Sequence, residues 1–495
     1  VYYLRITSLK TIDKLKIFTL VGALLVSFNF NLAYAVEKYA VIQKGSKLTM
    51  DDCIQIALKN SPLINKAYFN YKVSQNDEKI AKASYFPTIG VGTGYTYNSN
   101  TSNRFSSTND TYNAQASLSQ LIWNFGKTNA QIRMQKFNKI SALFNFDDIV
   151  LDTIFSVKTN YYNVLAAKAT VDINRAYVQI NERNYQRTKA YFDEGIKSKI
   201  DLVNAEVNLS DSKVTLVESI KAYQNAIVQL NNSMYVAYTP NYEIASTETF
   251  NFKQKEIPVN LEKISEKRDI SRTPDPVSDA TLTSKVEKMD VIETFKFKPF
   301  PYTFEECVEQ AKQNRPDLKA YNATLEAMKQ ALLYIKREYY PEISASAGYN
   351  YRNQYNMNSF NIGLNLSSSV NILSKKYEID NGKLQVALAK NEIDLLEQNI
   401  YFEVQNAYIN MVQLEKQIPL LAVKVKQTYE NFELADGRYA VGIGDYIQLQ
   451  DARVNYNNAQ QSYVQTVYNY NVARANLEKL IALKQEITIN VEDER

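Results

Sequence analysis

The chain has 495 residues, no histidine and two cysteines. This excludes Ser-His-Asp and Cys-His triads, histidine-ligated zinc and histidine acid–base catalysis, and leaves too little cysteine for a Cys-rich metal site. A net charge of +4 with 22% charged residues suits neither a nucleic-acid binder nor a helical multi-span membrane protein. Thirty-seven tyrosines beside a single tryptophan favour half-wet surfaces and membrane interfaces.

The first segment reads as a targeting signal. Arg5, Lys10, Lys14 and Lys16 precede an apolar run from Ile17 to Phe28, followed by Ala33-Tyr34-Ala35. Residues 1–35 are therefore expected to be a secretory signal peptide cut after Ala35. A retained anchor helix is the alternative, but the run is short of the ~20 residues that span a bilayer. No later run is long enough either, so an exported chain that crosses a membrane does so as strands.

Beyond the signal the chain is a duplication. Cys53, Ala57, Asn60, Pro62, Tyr85, Pro87 and Gly94 recur, in register, as Cys307, Ala311, Asn314, Pro316, Tyr339, Pro341 and Gly348. Gly195, Ile200, Leu202, Ala205, Val207 and Asn208 recur as Gly442, Ile447, Leu449, Ala452, Val454 and Asn455. The first repeat is read as 36–239 and the second as 302–495. Between them, 240–301 is rich in proline and charge and reads as a linker.

Each repeat has one plan. Thr49 and Thr303, with acids behind them, look like N-caps. Helices then start near Pro62 and Pro316 and stop before Pro87 and Pro341. Alternation predicts strands over 88–97 and 112–121, with a longer connecting loop than in the second repeat, where strands are predicted over 342–351 and 360–369. Ile89, Val91, Thr93, Tyr95 and Tyr97 share one face against Gly90, Gly92 and Gly94. That is the pattern of outer-membrane strands, and equally of a soluble half-buried hairpin. From Gly126 to about Tyr191 helix formers run for roughly 100 Å at ~1.5 Å per residue. The 3-4-3 spacing of Ile154, Val157, Tyr161 and Val164, answered by Tyr401, Val404, Tyr408 and Met411, calls for coiled-coil packing. Helices about half as long follow Gly195 (tip 195–201) and Gly442 (tip 437–448). Pro419 falls inside the long second-repeat helix and is expected to kink it. The fold class is mainly α with a membrane β-barrel. Four strands leave an open sheet, so chains must share a barrel: two give eight strands, three give twelve.

The stretches LTMDDCIQIALKNSPLI, ASYFPTIGVGTGYTY, LSQLIWNFG, EGIKSKIDLVNAEVNL and VGIGDYIQLQDARVNY, in this order within a twofold plan, resemble the TolC family of outer-membrane efflux ducts. The resemblance implies a homotrimer with a twelve-stranded barrel in outer-membrane lipid, an α-helical barrel in the periplasm and the linker in an equatorial collar. It implies a passive conduit for small molecules or proteins, without cofactor or metal, working with a periplasmic membrane-fusion adaptor and an inner-membrane pump of the RND or ABC type. It places adaptor docking on Gly195, Ile196, Lys197, Ser198, Gly442, Ile443, Gly444 and Asp445. It assigns a gate to Tyr439, three residues before Gly442, and Asp201, six after Gly195. Two acids three apart constrict the family's pore. Here they are Gln448 and Asp451, so a trimer has one acidic ring instead of two. The family's Arg two residues after the second glycine is Gly444 here; Lys197 or Lys199 is the substitute base on offer.

Other readings stay open. Asp201 and Asp451 near helix starts also suit the helix dipole, and Gly195 and Gly442 suit simple turns. Cys53 and Cys307 fit small buried side chains or a disulfide. A periplasmic coiled-coil protein with soluble hairpins is the alternative to a duct, and partition into the outer-membrane fraction separates the two. No motif supports an enzyme.

Overall fold

A threonine capping box opens each half. Thr49 Oγ1 accepts from the Asp52 amide while Asp52 accepts from the Thr49 amide, starting α1 (Met50–Asn60), and Thr303 with Glu306 does the same for α5 (Phe304–Asn314). Two orphan donors are satisfied at each start. The computed structural model describes residues 42, 44–102, 105–236, 242–245, 300–353, 357–369 and 371–483. The expected signal peptide and nearly all of the expected linker lie outside these.

Pro62 and Pro316 hold the first turns of α2 (Pro62–Ala83) and α6 (Pro316–Arg337), where a missing amide costs nothing. Four strands follow in two hairpins, β2 (Thr88–Ser102) with β3 (Phe105–Trp123) and β5 (Glu342–Arg352) with β6 (Met357–Ser367). They form one antiparallel sheet in the order β2-β3-β5-β6. In the first repeat the extra residues extend both strands as far as Ser102 and Phe105, correcting the expected long loop. The backbone ladder there runs on to Ser102↔Phe105. The last strand starts at Met357, ahead of the expected 360, and ends at Ser367.

The long helices are α3 (Lys127–Asp193), of 67 residues, and α7 (Ile372–Ala440), of 69. Each reaches about 100 Å. Each turns back into a 35-residue helix, α4 (Lys199–Ser233) or α8 (Tyr446–Leu480). Pro419 removes one amide from α7 without ending it.

Ile154, Val157, Tyr161 and Val164 are buried, as are Val404 and Met411. One core gathers the first four with Cys53, Leu230 and Met234; another gathers Val404 and Met411 with Cys307, Ile400, Tyr463 and Leu477. The cysteines therefore sit in separate cores, both free. Burial pushes their thiols up, Cys53 to about 12 and Cys307 to about 11. The near end of the expected linker is packed structure. β1 (Lys47–Leu48) pairs in parallel with β4 (Glu243–Ile244), and Ile244 is buried in the first core.

Side by side, the helices near the tips run α4-α3-α8-α7, and nearer the sheet α2-α3-α6-α7. Among the described residues these helices form a wall whose edges are α4 and α7 near the tips and α2 and α7 nearer the sheet.

Candidate functional site

The sheet sorts its side chains by chemistry. Ladder partners Ile89↔Leu118, Val91↔Ala116, Tyr95↔Tyr112, Ala347↔Ile362 and Tyr349↔Phe360 occupy one face. Gly90↔Ser117, Gly92↔Gln115, Gly94↔Asn113 and Gly348↔Asn361 occupy the other. The apolar face is bare: Ile89, Ile362 and Leu364 are 75%, 75% and 78% exposed. Water does not tolerate such a patch, and lipid does. The glycines make room for their cross-strand amides, since a Cβ at Gly94 would lie 2.4 Å from Asn113 Oδ1. At the strand–helix junction Tyr85, Phe86, Trp123, Phe125 and Tyr340 form an exposed aromatic belt, with Phe125 stacked on Tyr340 at 5.1 Å. Lys127 and Arg337 pin the junction through Glu342 and the Gly126 carbonyl.

At the opposite end both hairpins turn in the same way. Gly195 and Gly442 take positive φ (+74° and +83°). The Ile196 amide donates to the Tyr191 carbonyl and the Ile443 amide to that of Arg438, closing a Schellman motif at each tip. Ser198 and Asp445 then cap α4 and α8. Ile196 and Ile443 project outward, 52% and 73% exposed.

Tyr439 is fully buried between the two hairpins of one chain. Its hydroxyl lies 3.0 Å from Thr188 Oγ1, and the ring packs against Tyr191 and Tyr446. Arg187 and Lys197 stand over it at 5.3 and 4.7 Å. Burial pushes the phenol above its ordinary value, Asp201 adds to the rise, and Thr188 and Arg187 oppose it. Asp201 nonetheless makes no bond to Tyr439. Its carboxylate accepts from the amide and hydroxyl of Ser198, completing the capping box of α4. Within the chain, the hydroxyl of Tyr439 is therefore paired with Thr188.

Lys197 Nζ donates to the Gly444 carbonyl at 3.4 Å, joining the tips. Gly444 has no room for a side chain, because a Cβ would lie 2.6 Å from the Tyr439 amide nitrogen. That packing excludes an arginine there and leaves the bridging to Lys197. Gln448 and Asp451, one turn apart, are both exposed on α8. Leu449, Ala452 and Arg453 face inward.

Sequence reasoning missed Arg453, which is only 1% exposed. Nη1 donates to Asn181 Oδ1 at 2.8 Å, while Nε and Nη2 find no partner among the described residues. The signal was present: Tyr446, Leu449, Arg453, Tyr456, Gln460 and Tyr463 keep a 3-4-3 spacing, and all are buried.

A family profile described as "Outer membrane efflux protein" matches residues 53–234 and 307–483. No curated protein matches the chain. Among solved structures, CusC is 14% identical, with a TM-score of 0.70 over 90% of this chain and 96% of its own. The CmeC outer membrane channel of Campylobacter jejuni is 16% identical, with a TM-score of 0.68 over 87% and 85%. The MtrE outer membrane channel of Neisseria gonorrhoeae, in its open state, is 15% identical, with a TM-score of 0.66 over 87% and 88%. At these identities the likeness is one of fold.

Proposed function

The chain belongs to the outer membrane efflux protein family, with its strands in the outer membrane and its helices in the periplasm, and we propose that three copies form the passive duct of a tripartite export system. One observation carries this reading. The wall is open at both edges in both layers, and its exposed apolar side chains concentrate on the helices at those edges. α4 exposes Ile200, Val203, Val207, Val214 and Val217, and α7 exposes Leu388, Leu395, Phe402 and Ile409, whereas α3 between them exposes little beyond Leu143. An α4 edge fits the α7 edge of a neighbour as β6 fits β2, so the same rotation closes sheet and helices together. Two copies would give an eight-stranded barrel, which side chains fill; three give twelve strands and a lumen lined by Gly, Ser and Asn.

At family level this is a channel and not an enzyme. Gln448 and Asp451 are proposed to line the constriction, as one acidic ring. The tip residues Gly195, Ile196, Lys197, Ser198, Gly442, Ile443, Gly444 and Asp445 are proposed to dock a periplasmic adaptor through their exposed isoleucines. An inner-membrane pump of the RND or ABC type would supply the energy. Mass measurement in mild detergent should give three chains, and planar bilayers should show discrete conductance steps. A stable soluble monomer would sink the proposal.

A further inference from the structure

Arg453 is a buried cation that meets only neutral acceptors among the described residues. Nη1 donates to Asn181 Oδ1 at 2.8 Å and to Gln450 Oε1 at 3.4 Å. Gln450 is held in that place from its other end, because its Nε2 donates to Asn208 Oδ1 at 2.9 Å, and Asn208 Nδ2 donates in turn to the Tyr446 hydroxyl. Nε and Nη2 have no acceptor among the described residues. These two nitrogens share one edge of the guanidinium and present parallel N–H donors, the fork that takes a single anionic acceptor side-on.

An arginine does not escape burial by losing its proton, and a buried charge without a partner is strongly destabilising. A neighbouring copy cannot supply the missing acid, because this chain itself covers the side chain. A second orphan lies one turn along α8: Asn457 is buried, and its Oδ1 has no donor among the described residues. With that amide turned about χ2, Nδ2 takes the place of Oδ1 as a donor. A water at the fork would satisfy these groups but leave the charge uncompensated, whereas a monovalent anion does both. A larger oxyanion brings more acceptor sites than three donors can satisfy on a helix face that also buries Leu449 and Tyr456.

We propose that a small monovalent anion of the chloride class sits against Nε and Nη2 of Arg453, with the turned Asn457 amide as its third donor, and is a fixed component of the seam between α3 and α8. Every donor comes from one chain, so the site stands apart from the duct reading.

The test uses the full-length protein in detergent at constant ionic strength, with sodium gluconate exchanged stepwise for sodium chloride. Beyond half-saturation, each tenfold rise in chloride should lower the unfolding equilibrium constant about tenfold per chain, read as a climbing unfolding midpoint, and sodium bromide should substitute for chloride. Arg453→Met, of similar bulk and no charge, should abolish the dependence. Crystals grown with sodium bromide give a second reading that needs no variant: anomalous scattering should place one bromide against Nε and Nη2. That peak together with the chloride dependence supports the site, and the two decide alone if Arg453→Met fails to fold. A peak without any dependence in solution means an adventitious ion only and overturns it. Dependence that survives Arg453→Met overturns it as well, and so does the absence of a peak at the fork, which leaves a water there.

Discussion

Single residues at the tips show where sequence reading stops. Gly195 and Gly442 were legible because αL turns select glycine, and both end their helices as expected. Partners were not legible, because an Asp three residues after Ser is equally a capping residue and a gate acceptor; the Ser198–Asp201 box fixes the first use here. Asp148 was missed for a similar reason, as one acid among many on α3. Burial pushes it up to about 6, with Asp152 and Asp317 reinforcing the rise and Lys479 and Arg315 opposing it. An acid with a raised folded pKa holds its proton more tightly when folded than when unfolded. Its contribution is therefore complete below the unfolded value of 3.8 and lost as pH rises through about 6. After allowance for its partial exposure, this amounts to about 1–2 kcal/mol per chain. Asp148→Asn should remove that slope. The unfolding midpoint at about pH 4 minus that at about pH 7 should be smaller in the variant than in the parent; an equal difference in both would clear Asp148 of any role.

At the scale of elements, what was periodic was legible. Coiled-coil spacing located the long helices, proline located their neighbours, and alternation located four strands. Strand ends were not legible, because Ser, Thr and Asn around 98–111 read as turn residues in isolation and take ladder positions only when a partner strand is present. Edge against centre was invisible too: whether Leu395 on α7 or Val157 on α3 is covered depends on neighbours far away in sequence. The two sheet faces give a sharp test. Ile362 is 75% exposed on the apolar face, while Gly363, on the other, has open space for a side chain, with nothing within 4 Å of where a Cβ would sit. Lysine on a lipid-facing strand costs about 2–4 kcal/mol near the midplane, and every copy in the barrel bears that cost. Ile362→Lys should therefore deplete assembled protein from the outer-membrane fraction, while Gly363→Ser should leave it unchanged. Equal loss in both would mean that the alternation does not separate lipid from lumen.

For the assembled molecule the decisive quantity is charge at the narrow end. Gln448 and Asp451 lie one turn apart on the exposed side of α8, opposite the Leu449–Arg453 seam that fixes the rotation of the helix. Closing three copies into a duct would bring three Asp451 carboxylates around one axis, with a neutral glutamine ring beside them. Like charges held together in a narrow passage attract cations and bind divalent ones as blockers. The effect fades as the screening length drops from about 8 Å at 0.15 M salt to about 3 Å at 1 M. Asp451→Asn should shift the reversal potential toward zero in a salt gradient and weaken divalent block, with the larger change at low salt. Gln448→Glu should do the reverse by adding a second acidic ring. Neither change touches Tyr439 or Lys197, so tip closure should be preserved and the unitary response isolated to charge. If both variants keep the parental reversal potential at low salt, α8 does not present this face to the pore, and the constriction must be sought among residues that α3 and α4 expose.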